Sequence, residues 1–203
     1  MEKLEEVIKN LRGRFFGAEL VATKEEARER ILELIPSGST VGVGGSVSVR
    51  ELGVLEELKR RGHEVYDHWQ KGLSASEIAE IRRRELLADV FLSSVNALTR
   101  QGELLAVDGI GNRVGAMAFG PKKVILVVGR NKVVENLDEA FRRIKEVAAP
   151  RNARRLNLDL PCAKGECVDC RSPGRICRIY TILAFKPQLT DLTVMLVNED
   201  LGY

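Results

Sequence analysis

Four cysteines, Cys162, Cys167, Cys170 and Cys177, stand within sixteen residues in the spacing C-x4-C-x2-C-x6-C. Thiolates this close in sequence converge on one centre when the backbone turns tightly. Gly165 and the run Ser172-Pro173-Gly174 supply such turns. Zinc and iron–sulfur clusters both accept four thiolate ligands. The competing readings are two disulfides or four unrelated buried thiols, and a reduced cytoplasm disfavours the first. Structural zinc usually takes two C-x2-C pairs, whereas only Cys167 and Cys170 form one here. The C-x4-C-x2-C run matches one cluster spacing instead. Lys164, Arg171, Arg175 and Arg178 surround the segment and suit the negative charge of either centre. The reading is a 4Fe–4S cluster on Cys162, Cys167, Cys170 and Cys177, with zinc as the alternative.

A second set of residues can hold an anion. Val43-Gly44-Gly45-Ser46 lies between a predicted strand and a predicted helix. Glycine there permits close backbone approach, and free N–H groups at a helix start attract negative charge. Three further loops follow predicted strands. They hold Asn96, the run Asp108-Gly109-Ile110-Gly111-Asn112-Arg113, and Gly129-Arg130-Asn131-Lys132. Ligands of open parallel sheets sit beyond the carboxyl ends of the strands. The loops are therefore expected to gather Gly44, Gly45, Ser46, Asn96, Asp108, Gly109, Asn112, Arg113 and Lys132 around a small anionic metabolite. Arg113 and Lys132 would hold a carboxylate and Asp108 could relay a proton. Each loop alone is also an ordinary turn, and the Gly44-Gly45 loop does not complete the dinucleotide fingerprint.

His63 and His68 are the only histidines. No acid stands near either in a useful pattern, and no nucleophile elbow is present, so both read as surface or strand-end residues. Trp69, the only tryptophan, reads as packing.

The elements that must position these groups alternate. Helices are predicted over 3–16, 24–34, 48–61, 74–87, 111–119 and 136–147, with Pro150 closing the last. Thr23 with Glu26, Ser48 with Glu51, Ser74 with Glu77 and Asn136 with Glu139 have capping-box spacing. Strands are predicted over 18–22, 40–43, 64–67, 88–93, 103–107, 123–128, 179–185 and 192–198. The 123–128 strand is apolar on both faces and so central in its sheet. This alternation predicts an α/β fold: a mostly parallel sheet flanked by helices, with a cysteine-rich segment and a terminal hairpin. Residues 1–160 form the α/β domain, 161–178 the metal or cluster segment, and 179–203 two strands returning to the domain.

The chain has 203 residues and a net charge of +3, with acidic and basic residues mixed on helices, which argues against a nucleic-acid partner. No run of 18 apolar residues suggests a membrane span. The amino terminus lacks the basic start and apolar core of a signal peptide, so a cytoplasmic location is expected.

The runs Val41–Ser46, Asp108–Val114, Phe119–Val124 and Val128–Lys132 together resemble the lactate-utilisation (LUD) domain family. So do the cysteine segment, with Asp169–Pro173 and Arg175–Cys177, and the ending Val197–Tyr203. The resemblance implies a fold similar to that of sugar-phosphate isomerases and coenzyme A transferases, whose glycine-rich loops bind phosphate or carboxylate. It also implies a link to oxidation of lactate or a related organic acid beside iron–sulfur partner proteins. The chain looks like a short form with its own cysteines, without the long multi-cluster extension of larger members. Two functional classes follow. One is an iron–sulfur redox protein, an oxidoreductase or a component of one, passing electrons between a hydroxy or keto acid and a redox partner protein. The other is a non-catalytic metabolite-binding or regulatory module with a structural zinc site.

Overall fold

The computed structural model describes residues 2–203. Six parallel strands form the main sheet: β1 Gly17–Val21, β2 Val41–Val43, β3 Val65–Asp67, β4 Val90–Ser93, β7 Lys123–Gly129 and β10 Asp191–Val197. Their order is β1-β10-β7-β4-β2-β3. The expected central strand is central: β7 pairs with β10 on one side and β4 on the other. Successive side chains of a strand face opposite ways. Accordingly Val124, Leu126 and Val128 enter one core, with α1 Glu2–Gly13 and α6 Asn112–Ala118. Ile125 and Val127 enter the other, with α2 Lys24–Leu34 and α4 Val54–Arg60. This double burial explains the continuous apolar run.

A smaller mixed sheet sits beside it, in the order β8-β5-β6-β9. Its strands are β5 Ala97–Thr99, β6 Leu104–Asp108, β8 Val133–Val134 and β9 Ile179–Leu183. Two of these, β5 and β8, are too short to show a period and escape sequence reading. The expected terminal hairpin does not form. β9 runs antiparallel to β6, while β10 enters the main sheet between β1 and β7. Burial separates them: β10 is apolar and almost wholly buried, whereas β9 is half exposed at a sheet edge.

Three predicted caps are made. Thr23 accepts from Glu26 N, Ser74 closes a full capping box with Glu77, and Asn136 accepts from Glu139 N. The fourth shifts. Ser46, not Ser48, caps α3 Val47–Glu51, and Gly53 separates α3 from α4, so the single helix predicted over 48–61 is two. Ser48 is thereby free to turn inward. Pro150 does not end its helix either. After α7 Leu137–Arg143, a π turn at Ile144–Ala148 changes the hydrogen-bond register. Pro150 then falls in the first turn of α8 Ala149–Arg155, where a missing N–H costs nothing.

Among the described residues, no helix is long and apolar enough to cross a membrane. Leu126 is fully buried in the central strand. Leu126→Ala is expected to destabilise the fold by about 2–5 kcal/mol in urea unfolding, with the range set by how far the cavity collapses.

Candidate functional site

Parallel pairing sends the carboxyl ends of all six strands to one edge, and a cleft of about 230 Å3 opens there. All nine loop residues singled out in the sequence line it: Gly44, Gly45, Ser46, Asn96, Asp108, Gly109, Asn112, Arg113 and Lys132. The wall also carries Arg82 and Arg155, and Asp108 is the lone Asp or Glu among the lining residues. Arg82 Nε is buried without a hydrogen-bond partner. The cleft is therefore strongly cationic.

Lys132 is the most deeply set of these charges, only 3% exposed. Its Nζ donates to Ser48 Oγ and Ser94 Oγ, each at 2.8 Å. Ser48 faces this amine because Ser46 took over the helix cap. Burial, with Arg143 and Arg113 adding repulsion, pushes the Lys132 amine down to about 7.

Arg113 is a brace more than a free clamp. Its guanidinium donates to Ser94 O at 2.9 Å, Asn96 Oδ1 at 3.0 Å and Val107 O at 2.6 Å. Asp108 stands 3.9 Å from Arg113 Nε and accepts from Val114 N at the start of α6. Asp108 thus also serves the local fold.

His68 is a further titratable group of the cleft. It follows β3, is buried, and lines the cleft. Its Nδ1 lies 2.5 Å from Oε1 of Glu85, which is fully buried at the end of α5 Ala75–Glu85. The other Glu85 oxygen accepts from Asn112 Nδ2 at 3.1 Å. The surface or strand-end reading of His68 is half right: the residue ends a strand, but it has a buried acid partner. Glu85 stands seventeen positions after His68, at the far end of a helix, so no spacing rule could pair them. His63, by contrast, contacts only Ser39 O, as a strand-end residue would.

Trp69 is more than packing. Arg50 and Arg155 stack on its ring, 4.5 Å and 4.2 Å from the centroid. Arg155 also donates to Tyr203 Oη, which donates to Asn152 Oδ1. This aromatic and cationic shelf forms one end of the cleft.

The four cysteines lie along one short segment. All four are free thiols, and Cys162, Cys167, Cys170 and Cys177 border one small cavity beneath α8. Arg175 draws the loop together, donating to Cys170 O and Cys177 O at 2.7 Å and pairing with Asp169. Burial pushes the Cys177 thiol up to about 11, and burial with the nearby Cys167 and Cys170 raises Cys162. Hydrogen bonds from Ser172, with Arg175 close by, lower Cys170. Among the described residues, no three His, Cys, Asp or Glu side chains are grouped as a single metal ion needs. Ile176 and Cys177 border this cavity and the cleft alike.

Lys132 supplies a pH test. Its folded pKa lies below the ordinary 10.5, so between about 7 and 10.5 the unfolded chain binds the extra proton. The cost of burying its charge is full below about 7 and is relieved as pH rises toward 10.5. NMR of 13C-labelled lysine, assigned with Lys132→Met, is expected to show one amine titrating near pH 7. Titration of every lysine in the ordinary range would contradict this.

Comparison with known proteins agrees with the geometry. No curated protein matches the chain. A DUF162 family protein from Deinococcus radiodurans, known from its crystal structure, has the same fold with a TM-score of 0.57. It is 17% identical, and the alignment covers 97% of each chain. The LUD domain family model matches residues 4–197. The chain belongs to the LUD domain family.

Proposed function

We propose that this LUD-domain protein is an iron–sulfur redox protein of organic-acid metabolism. Its cleft takes a small carboxylate, and its four cysteines hold a 4Fe–4S cluster. The observation that carries the reading is the shared wall: Ile176 and Cys177 face the cleft on one side and the cysteine cavity on the other. A thiolate that ligates a centre would thus stand at the edge of the anion site.

The donor set fits such a group. Four thiols border one cavity, and burial, with the neighbouring Cys167 and Cys170, raises Cys162, a cost that a cationic cluster core would relieve. The C-x4-C-x2-C run favours a cluster over zinc. A bound cluster would supply one-electron transfer. The chain's own residues hold the ligand: Lys132 and Arg82 attract its carboxylate, Arg113 keeps the loops of β4 and β6 in register, and Trp69 closes one end.

Anaerobic purification is expected to give a brown protein with iron and sulfide at about four each. Cys177→Ser should lose the cluster while retaining oxalate binding by calorimetry. A colourless protein carrying one zinc would overturn the redox reading and support a regulatory module with a zinc clasp.

A further inference from the structure

We propose that His68, oriented by Glu85, is the proton-transferring group of the cleft, and that the ligand it acts on is a small 2-oxo carboxylate. The inference rests on the anion-site reading above and is independent of the cluster. A buried carboxylate is costly unless it is paired, and Glu85 is paired twice. Oε1 holds His68 Nδ1, and Oε2 holds the amide of Asn112. In the tautomer whose Nδ1–H donates to Glu85, Nε2 presents a lone pair.

Nε2 has no partner among the described residues, and His68 opens on the cleft. Two glycines of the same run serve this pair. A Cβ on Gly42 would lie 2.9 Å from Glu85 Cα and from its carbonyl oxygen, so only glycine lets α5 come this close to β2. A Cβ on Gly45 would lie 3.1 Å from His68 Nε2 and 3.1 Å from Trp69 Nε1, and Gly45 has φ of +59°. The bare face of Gly45 therefore leaves the lone pair and the indole N–H uncovered. A structural histidine needs only the Nδ1 contact, and an uncovered Nε2 beside an unpaired donor adds nothing to packing.

The cations of the cleft complete the chemistry. Lys132 reaches Ser48, three residues beyond Gly45, so the base and the ammonium flank one loop. His68 Nε2 takes a proton from the carbon next to the ligand's carbonyl. The C–H bond breaks, an Nε2–H bond forms, and the electron pair moves onto the carbonyl oxygen as an enolate. The imidazolium is held by Glu85, and the enolate charge faces Lys132. Return of a proton from Nε2 regenerates the ligand, so no oxidant or reductant is consumed. The pair is an acid–base dyad of a kind that spacing alone could not locate.

Deuterium exchange into the methyl group of pyruvate in D2O, followed by proton NMR, tests this. The native protein is expected to speed exchange, with His68→Gly slowing it about 10²-fold or more. Added imidazole should restore exchange to His68→Gly, which a merely structural histidine would not allow. Glu85→Gln, a change in a positioning residue, should lower the exchange rate with little change in pyruvate affinity. Exchange that persists undiminished in His68→Gly, or pyruvate that binds the native protein without exchanging, would overturn the proposal. Pyruvate that does not bind at all would overturn the anion-site reading, and the proposal with it.

Discussion

Parallel pairing of β7 with β10 and β4 is the constraint on which the rest of the molecule depends. Between parallel strands the chain leaves the sheet at the carboxyl edge and crosses over to re-enter at the amino edge, so every connecting loop is sorted by edge. The carboxyl edge receives the ends of β2, β3, β4, β7 and β10, and with them Gly44, His68, Ser94, Lys132 and Tyr203. None of these residues is close to another in the chain by more than local spacing. Their meeting is a property of the sheet.

Charge within that meeting place is held at a cost. Lys132 is buried with two serine hydroxyls, and Arg113 is committed largely to backbone carbonyls and Asn96. Burying ammonium and guanidinium groups without matching carboxylates is unfavourable for folding alone. A fold that keeps four cationic side chains around a cleft with one lining Asp or Glu stores attraction for an anion. The cysteine loop is appended to this edge through Ile176 and Cys177, and the salt bridge of Arg175 with Asp169 shapes it from outside. The cleft and the cysteine cavity thus share a wall.

Much of the fold and the cationic side of the cleft was legible in the sequence. Thr23, Ser74 and Asn136 announce their helices through local hydrogen bonds, which spacing encodes directly. The double-faced apolar run of β7 reveals its central place, and the glycine loops after strands lie at the ligand edge. What escaped was set by tertiary contact. His68 and Glu85 are brought together by α5 packing on Gly42, a contact with no sequence period. Ser48 has cap spacing to Glu51, but the helix begins at Val47 and Ser46 takes the role. β9 and β10 looked like a hairpin because they are consecutive, and burial sent them to different sheets. Pro150 stops a regular helix but not one already shifted by a π turn.

The central claim is that a cluster on the four cysteines and an anion in the cleft are neighbours through Cys177. The direct measurement is the electron paramagnetic resonance spectrum of the reduced, anaerobically prepared protein, with and without saturating oxalate. The account predicts a signal whose line shape shifts when oxalate occupies the cleft, with the shift lost in Lys132→Met. A cluster signal that ignores bound oxalate would contradict it.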